Sequence, residues 1–227
     1  MKLNTANSFL VSALRAGAGR TTGRLGPRPA VPIQLYEFES CPFCRKVREA
    51  VTNLDLIVEV FPCPKGGERF RPSVKEQGGK AQFPFMIDPN TKQALYESDE
   101  IIRHLYDRYG VGPAPWFLRL GPLTTMSAAL ASIPQAGDAA RPSRRPEKPL
   151  VLYSFEASPY CRLVRDTLCR LELPYVLHSI GKGSPGRAAF IEKTKKMQVP
   201  YLIDPNEDVS LFESRDIIDH LERTYAA

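Results

Sequence analysis

Hydrophobic and polar positions change their period in the same order twice along the chain. Residues 33–38 alternate and are rich in β-branched and aromatic side chains, which predicts a strand. From Pro42 onward the apolar positions take the spacing of one face of a helix. Residues 56–61 then predict a second strand, and 69–77 predict a weak helix that Pro72 interrupts.

A strand pair and a helix complete the unit. Residues 85–88 and 94–96 predict two strands, joined by a turn at Asp88-Pro89-Asn90. The last helix starts at Glu97-Ser98. The predicted order is β-α-β-α-β-β-α, and residues 150–225 repeat it, so the fold class is α/β with two units of the same kind.

Three short motifs recur in the same order in both units. C-P-F-C at 41–44 returns as S-P-Y-C at 158–161, so Ser158 replaces the first cysteine. Phe83-Pro84 returns as Val199-Pro200, and Glu97-Ser98 returns as Glu213-Ser214. Such a recurrence indicates the internal duplication of a unit about the size of a small domain.

The duplication predicts the domain boundaries. We expect an N-terminal extension at 1–30, a first domain at 31–110, a linker at 111–148 rich in Pro, Gly and Ser, and a second domain at 149–227. Short helices are predicted at 7–15 and 123–133. The first 30 residues are also basic, hydroxyl-rich and free of acids, which is typical of a plastid or other organelle transit peptide. A structural helix, and hence a cytoplasmic protein, is the favoured interpretation.

The composition and charge of the chain limit the classes of partner that we expect. The net charge is +6, but the basic excess falls in residues 1–36 and 111–148, outside the two units, so we expect no nucleic-acid partner. No run of about 18 apolar residues is present, so no membrane span is predicted. Five cysteines with one C-x-x-C favour a reducing compartment over a disulfide scaffold. A homodimer is left open.

Together, the element order and the three motifs resemble glutaredoxins and the N-terminal domain of glutathione S-transferases, over residues 33–110 and 150–226. The resemblance implies a thioredoxin-like fold in both domains and glutathione as co-substrate. It also implies that Pro84 and Pro200 are cis-prolines whose backbone pairs with glutathione, and that Glu97-Ser98 and Glu213-Ser214 hold the γ-glutamyl group.

Cys41 is the predicted nucleophile because a helix N-terminus stabilises a thiolate. The following basic residues, Arg45, Lys46 and Arg48, are expected to add positive potential. Cys44 is within reach to act as the resolving thiol. Pro42, Phe43 and Phe83 are expected to line the glutathione site. A zinc site would need four ligands, and no second Cys or His pair is nearby, so no metal is expected.

The second copy has two interpretations. Ser158 either stabilises a glutathione thiolate in a second, non-redox site with Pro200, Glu213 and Ser214, or the copy is a degenerate structural one, which we favour slightly. Cys161 without a partner cannot perform dithiol exchange.

The roles of several other residues stay open. Cys63 is an extra resolving thiol or a buried loop residue, and Cys169, His104 and His220 are expected to be packing or surface residues. Lys65 or the arginines Arg69 and Arg71 are candidates for the glycyl carboxylate of glutathione.

Three hypotheses for the function follow. The first is a glutathione-dependent thiol–disulfide oxidoreductase that works through Cys41 on a disulfide substrate. The second is a glutathione S-transferase-like enzyme of tandem-domain form that acts on an electrophile. The third is a non-catalytic module that binds glutathione or a cofactor.

Overall fold

The computed structural model describes residues 18–119 and 139–227. The helices predicted at 7–15 and 123–133 lie outside these residues. The first repeat follows the predicted element order, with a short helix after it. Its strands and helices are β1 (Ile33–Glu37), α1 (Pro42–Asn53), β2 (Ile57–Pro62), α2 (Arg71–Gly78), β3 (Phe85–Asp88), β4 (Gln93–Leu95), α3 (Ser98–Tyr109) and α4 (Trp116–Arg119).

The second repeat has the same order. Its elements are β5 (Leu150–Ser154), α5 (Pro159–Arg170), β6 (Tyr175–Ser179), α6 (Gly186–Thr194), β7 (Tyr201–Asp204), β8 (Val209–Phe212) and α7 (Ser214–Tyr225). The thioredoxin-like α/β fold of both copies is therefore confirmed. One local expectation was wrong: Pro72 does not interrupt α2, because it lies in the first turn, where a missing N–H loses no helical hydrogen bond.

The two repeats share a single eight-stranded sheet in the order β4-β3-β1-β2-β6-β5-β7-β8. Within each repeat the first two strands are parallel and the others antiparallel. The junction is an antiparallel pairing of β2 with β6, in which Ile57 lies opposite His178 and Val60 opposite Tyr175. The pairing covers one edge of each four-stranded half, so neither edge is left open at the junction.

The sheet is covered on both faces. Successive side chains of a strand point to opposite faces, and Leu35 and Tyr36 accordingly belong to different apolar clusters. The Leu35 cluster contains residues of α1, α3, α5 and α7 and extends through both repeats. The opposite face carries two separate clusters, one under α2 and one under α6. Because one core runs through the junction, the repeats are coupled by packing as well as by strand pairing.

Buried aspartates hold the last helix of each repeat against the β3–β4 and β7–β8 turns. Asp88 accepts a hydrogen bond from Tyr109 Oη at 2.7 Å, and its Oδ2 lies 2.8 Å from His104 Nε2. Asp204 has the same partners in Tyr225 and His220. Burial raises the pKa of Asp88, but the hydrogen bonds outweigh this effect and lower the pKa to about 2. Both histidines therefore have a packing role.

Two peptide segments cross between the repeats in equivalent ways. Thr22 N donates to Lys182 O at 2.8 Å, and Ala140 N donates to Lys65 O at 2.8 Å. Further along these segments, Gly26 N donates to the carbonyl of Tyr109, the last residue of α3, and Arg144 N donates to the carbonyl of Tyr225, the last residue of α7. Parts of the predicted extension and linker are thus hydrogen bonded to both repeats. Among the described residues, no helix has the length and apolar character needed to cross a bilayer.

Candidate active site

Cys41 is the N-cap residue of α1. Its backbone is extended, and its Sγ accepts a hydrogen bond from the Cys44 N–H at 3.3 Å. Pro42 occupies the first helical position, where no N–H is needed. The sequence therefore places a sulfur where the backbone otherwise offers an unpaired N–H donor. The Cys41 residue is 3 % exposed, whereas Phe43 beside it is 43 % exposed.

The two cysteines of the C-x-x-C motif differ in acidity. Burial raises the pKa of Cys41, but hydrogen bonds from the Cys44 thiol and the Cys44 N–H outweigh this effect and lower its pKa below the ordinary value. Burial and the hydrogen bond to Cys41 raise the pKa of Cys44 well above the ordinary value. The arrangement favours a thiolate at Cys41 and a protonated thiol at Cys44.

Of the basic residues after Cys41, Arg48 lowers the pKa of Cys41 as expected, but the charges of Arg48 and Lys46 are also paired with carboxylates. Arg48 donates to Glu156 Oε2 at 2.9 Å and also pairs with Glu37. Lys46 Nζ pairs with Asp99. Their charges are thus directed at buried or nearby carboxylates, and Arg48 contributes less to the pKa of Cys41 than the hydrogen bonds from Cys44 do.

The loop before α1 contacts the loop before β3. The rings of Phe38 and Phe83 meet edge to face with centroids 6.0 Å apart, and Cys41 N donates to Phe38 O at 3.1 Å. The peptide bond between Phe83 and Pro84 is cis, as the resemblance implied. The Arg71 guanidinium lies over the Phe83 ring, 4.8 Å from its centroid. These contacts bring the cysteine turn and the cis-proline to the same end of the sheet.

The Glu97-Ser98 motif forms the start of α3 and is tied to the same region. Glu97 has a left-handed φ of 62° and accepts a hydrogen bond from Gln82 Nε2, two residues before Pro84. Ser98 is buried. The pairing of Lys46 with Asp99 joins this helix start to α1. The predicted site residues of the first repeat therefore converge through three contacts: Phe38 with Phe83, Gln82 with Glu97, and Lys46 with Asp99.

Gln82 and Asp99 were not among the site residues predicted from the sequence. For Gln82 a signal was available, because Gln198 stands at the equivalent place and donates to Glu213 in the same way. For the Lys46–Asp99 pair there was none, since the equivalent residues are Leu163 and Arg215.

The second copy keeps the backbone of the site and loses part of its side chains. Ser158 caps α5 and its Oγ accepts from Cys161 N at 3.2 Å, and the bond before Pro200 is cis. Glu213 and Ser214 start α7, with Ser214 half-buried. Val199 replaces the aromatic ring of Phe83, which removes one wall of the site.

A buried ion cluster lies between the two cap turns, where the repeats meet. Glu39 and Glu156 occupy equivalent positions, as do Arg48 and Arg165. Each glutamate pairs with the arginine of the other repeat: Arg165 Nε to Glu39 Oε2 is 3.0 Å, and Arg48 Nε to Glu156 Oε2 is 2.9 Å. Glu37, on the first repeat only, joins the cluster through Arg48. Burial and neighbouring carboxylates raise the pKa of Glu37 to about 7 although Arg48 opposes this.

The other cysteines and arginines considered from the sequence are buried or are held by hydrogen bonds within the protein. Cys63 is fully buried, and burial raises its pKa. Cys169 is also buried with a raised pKa. Arg69 donates to Glu172 O at 2.7 Å and to Ser143, so it joins the two repeats. Of the basic candidates, Arg71 is the one that lies over Phe83. Within 18–119 and 139–227, no cluster of three His, Cys, Asp or Glu side chains could hold a metal ion.

Fold and site together define a protein with two thioredoxin-like units fused through a common sheet, one of which carries a dithiol at a helix start. The family model "Glutathione S-transferase, N-terminal domain" matches residues 35–116 and again 152–227. The chain belongs to this family, and both copies do so independently. No curated protein and no solved structure matches the chain significantly.

Proposed function

We propose that the first repeat is a glutathione-dependent thiol–disulfide oxidoreductase. The observation that carries the proposal is the geometry of the C-P-F-C turn, in which Cys41 Sγ caps α1 and accepts a hydrogen bond from the Cys44 N–H at 3.3 Å. The pKa of Cys41 is lowered and that of Cys44 is raised, in keeping with this geometry. The family membership supports glutathione as the co-substrate.

The reaction is two successive exchanges. The substrate is a disulfide between glutathione and a substrate thiol, and the Cys41 thiolate attacks its glutathione sulfur. A Cys41–glutathione disulfide forms, and the substrate leaves as a thiolate that takes a proton from water. A second glutathione thiolate then attacks this mixed disulfide, which releases oxidised glutathione and restores the Cys41 thiolate.

Cys44 provides a second route. Its sulfur, after loss of its proton, attacks the Cys41 sulfur of the mixed disulfide, which forms the Cys41–Cys44 disulfide and releases glutathione as a thiolate. Two further glutathione molecules reduce that disulfide and leave as oxidised glutathione. The raised pKa keeps Cys44 protonated while Cys41 makes the first attack.

Glutathione is proposed to bind with its cysteinyl backbone along Pro84 and its γ-glutamyl group at the start of α3. Glu97 is exposed and faces Gln82, so it is accessible to an ammonium group. Ser98 and the N–H groups of the first turn suit a carboxylate. Phe43 and Phe83 line the sulfur end, and Arg71 suits the glycyl carboxylate.

The second repeat is proposed to be a structural partner. It has no thiol at position 158, and it lacks the equivalents of Phe83, Lys46 and Asp99. A transferase-type role for Ser158 rests on its Oγ occupying the position of Cys41 Sγ. Glutathione binding to both repeats would favour that second candidate.

The decisive assay is turnover of a glutathione mixed disulfide by the full chain. We expect Cys41→Ser to abolish turnover, Cys44→Ser to retain it through the first route, and Cys63→Ser, the matched control at another buried thiol, to behave as the native chain. Loss of turnover in Cys63→Ser, or retention in Cys41→Ser, would overturn the proposal.

A further inference from the structure

A cavity of about 490 Å³ lies between α6 and the junction of the repeats, away from the Cys41 turn. Its wall comes from three parts of the chain. The segment at 25–29 covers one side, Asp55 and Ile57 contribute from the first repeat, and Tyr153, His178 and Phe190 contribute from the second. The volume falls within the range of about 300–1,000 Å³ that is usual for sites of small ligands.

The cavity follows from a difference between the two copies. In the first repeat the residue before Arg71 is Phe70, whose buried ring packs edge-on against Phe61 at 5.4 Å. At the equivalent place before Arg187 the second repeat has Gly186, which lines the cavity. The second repeat carries its ring further along the helix, as Phe190 in place of Val74, and Gly186 leaves the start of the helix without a side chain.

The wall of the cavity suits a planar ring. Tyr153 and His178 stack with centroids 4.6 Å apart, and Phe190 lies 4.9 Å from Tyr153. Burial and the nearby Lys193 charge lower the pKa of His178, so its imidazole is neutral at pH 7. Three uncharged rings therefore present an aromatic surface to the cavity.

Charged and polar groups define the other end of a ligand. Lys193 Nζ lies 5.9 Å from the centroid of Tyr153, and Arg28, held by a 2.8 Å hydrogen bond to Asp55 O, also lines the cavity. Asp55 also lines the cavity and contributes one carboxylate, so Lys193 and Arg28 together leave a net positive charge at this end. This charge favours an acidic group on the ligand.

We propose that this cavity binds a small aromatic acid: one or two fused rings that carry a carboxylate or sulfonate. The ring lies against Tyr153, His178 and Phe190, and the acidic group faces Lys193 and Arg28. The site is separate from the Cys41 chemistry and does not depend on it.

Calorimetric titration of the full chain with anilinonaphthalene sulfonate tests the proposal, because this probe has fused rings and a sulfonate. We expect saturation with one molecule per chain. Ala189→Phe introduces a ring at the cavity wall and is expected to weaken binding by about tenfold or more. Ala188→Phe, one position away on the exposed surface of α6 and outside the wall, is the matched control and is expected to leave affinity within about twofold.

Titration of two further variants tests whether the probe binds at the proposed site. Lys193→Ala is expected to weaken the sulfonate probe by about fivefold and to leave the uncharged analogue N-phenylnaphthylamine unaffected. Cys41→Ser is expected to bind the probe as the native chain does, so failure here and failure of the redox proposal are distinguishable. Equal affinity of Ala189→Phe and the native chain, or equal weakening by Ala188→Phe, would overturn the proposal.

Discussion

Arg165 donates to both carboxylate oxygens of Glu39, at 3.0 and 3.1 Å, across 126 positions of sequence. Both side chains are 2 % exposed. The contact joins the helix that follows one cap turn to the turn of the other repeat, and Arg48 with Glu156 makes the reciprocal contact. The positions of the two cap residues, Cys41 and Ser158, are thereby fixed by the opposite repeat.

Breaking this contact should destabilise the whole chain. Glu39→Gln removes one carboxylate from a buried cluster of arginines and leaves Arg165 with Glu156 alone, so we expect a loss of about 3–5 kcal/mol in the free energy of unfolding. Arg141→Met removes a pair with Glu222 that is partly exposed to solvent, so its loss is expected to be about 0–1 kcal/mol. Urea denaturation measures both. Similar losses for the two variants would contradict the role given to the cluster.

Glu37 should make stability depend on pH. Its pKa is about 7 in the folded chain and 4.5 ordinarily, so the folded state holds the proton more tightly. Its contribution is complete below pH 4.5 and is lost as the pH rises through about 7. We therefore expect the free energy of unfolding of the native chain, relative to Glu37→Gln, to fall across this window. Denaturation of both proteins at a series of pH values measures the difference, and a difference that is flat or rises with pH would contradict it.

Glutathione affinity should separate the two repeats. Ser98→Ala removes a hydroxyl from the start of α3, and we expect roughly a tenfold loss of affinity, corresponding to one hydrogen bond to a charged group. Ser98→Thr keeps a hydroxyl and serves as its control. Ser214→Ala is expected to change affinity by less than about twofold. Equal losses at Ser98 and Ser214 in calorimetric titration would show two working sites and favour the transferase-type candidate.

Restoring the missing thiol should restore some exchange. The Cys41→Ser variant is expected to be inactive, because the second repeat has Cys161 but no thiol at the cap position 158. Adding Ser158→Cys places a sulfur where the Cys161 N–H already donates at 3.2 Å, so measurable turnover of a glutathione mixed disulfide is expected. Activity of Cys41→Ser alone would show that Cys161 can attack without a cap cysteine.

The sequence predicted each repeat well because the repeats agree. Alternation at 33–38 and the apolar spacing after Pro42 are local patterns, and each occurred twice, so β1 and α1 were found within one residue. The motifs at Cys41, Pro84 and Glu97 were also local. Their convergence followed from the resemblance, since the residues themselves are distant in sequence.

The joining of the repeats was not predictable from the same signals. In the structure, the edge strand β2 of the first repeat pairs with the edge strand β6 of the second. The sequences of these two strands contain no pattern that specifies which strand each one pairs with. The duplication of Glu39 and Arg48 as Glu156 and Arg165 was visible, but Arg48 was interpreted as a source of positive potential for Cys41 and Arg165 was given no role. Their partners lie on the other repeat, and only the folded chain brings them within 3 Å.

Trapping the first covalent intermediate identifies the thiol that attacks the substrate disulfide. Cys44→Ser cannot take the second route, so brief reaction of this variant with a glutathionylated peptide should leave one glutathione bound as a mixed disulfide. Mass spectrometry of the digested protein, quenched with acid to stop exchange, identifies the cysteine that carries it. We expect glutathione on Cys41, whereas glutathione on Cys63, Cys161 or Cys169 with Cys41 unmodified would show that Cys41 is not the nucleophile.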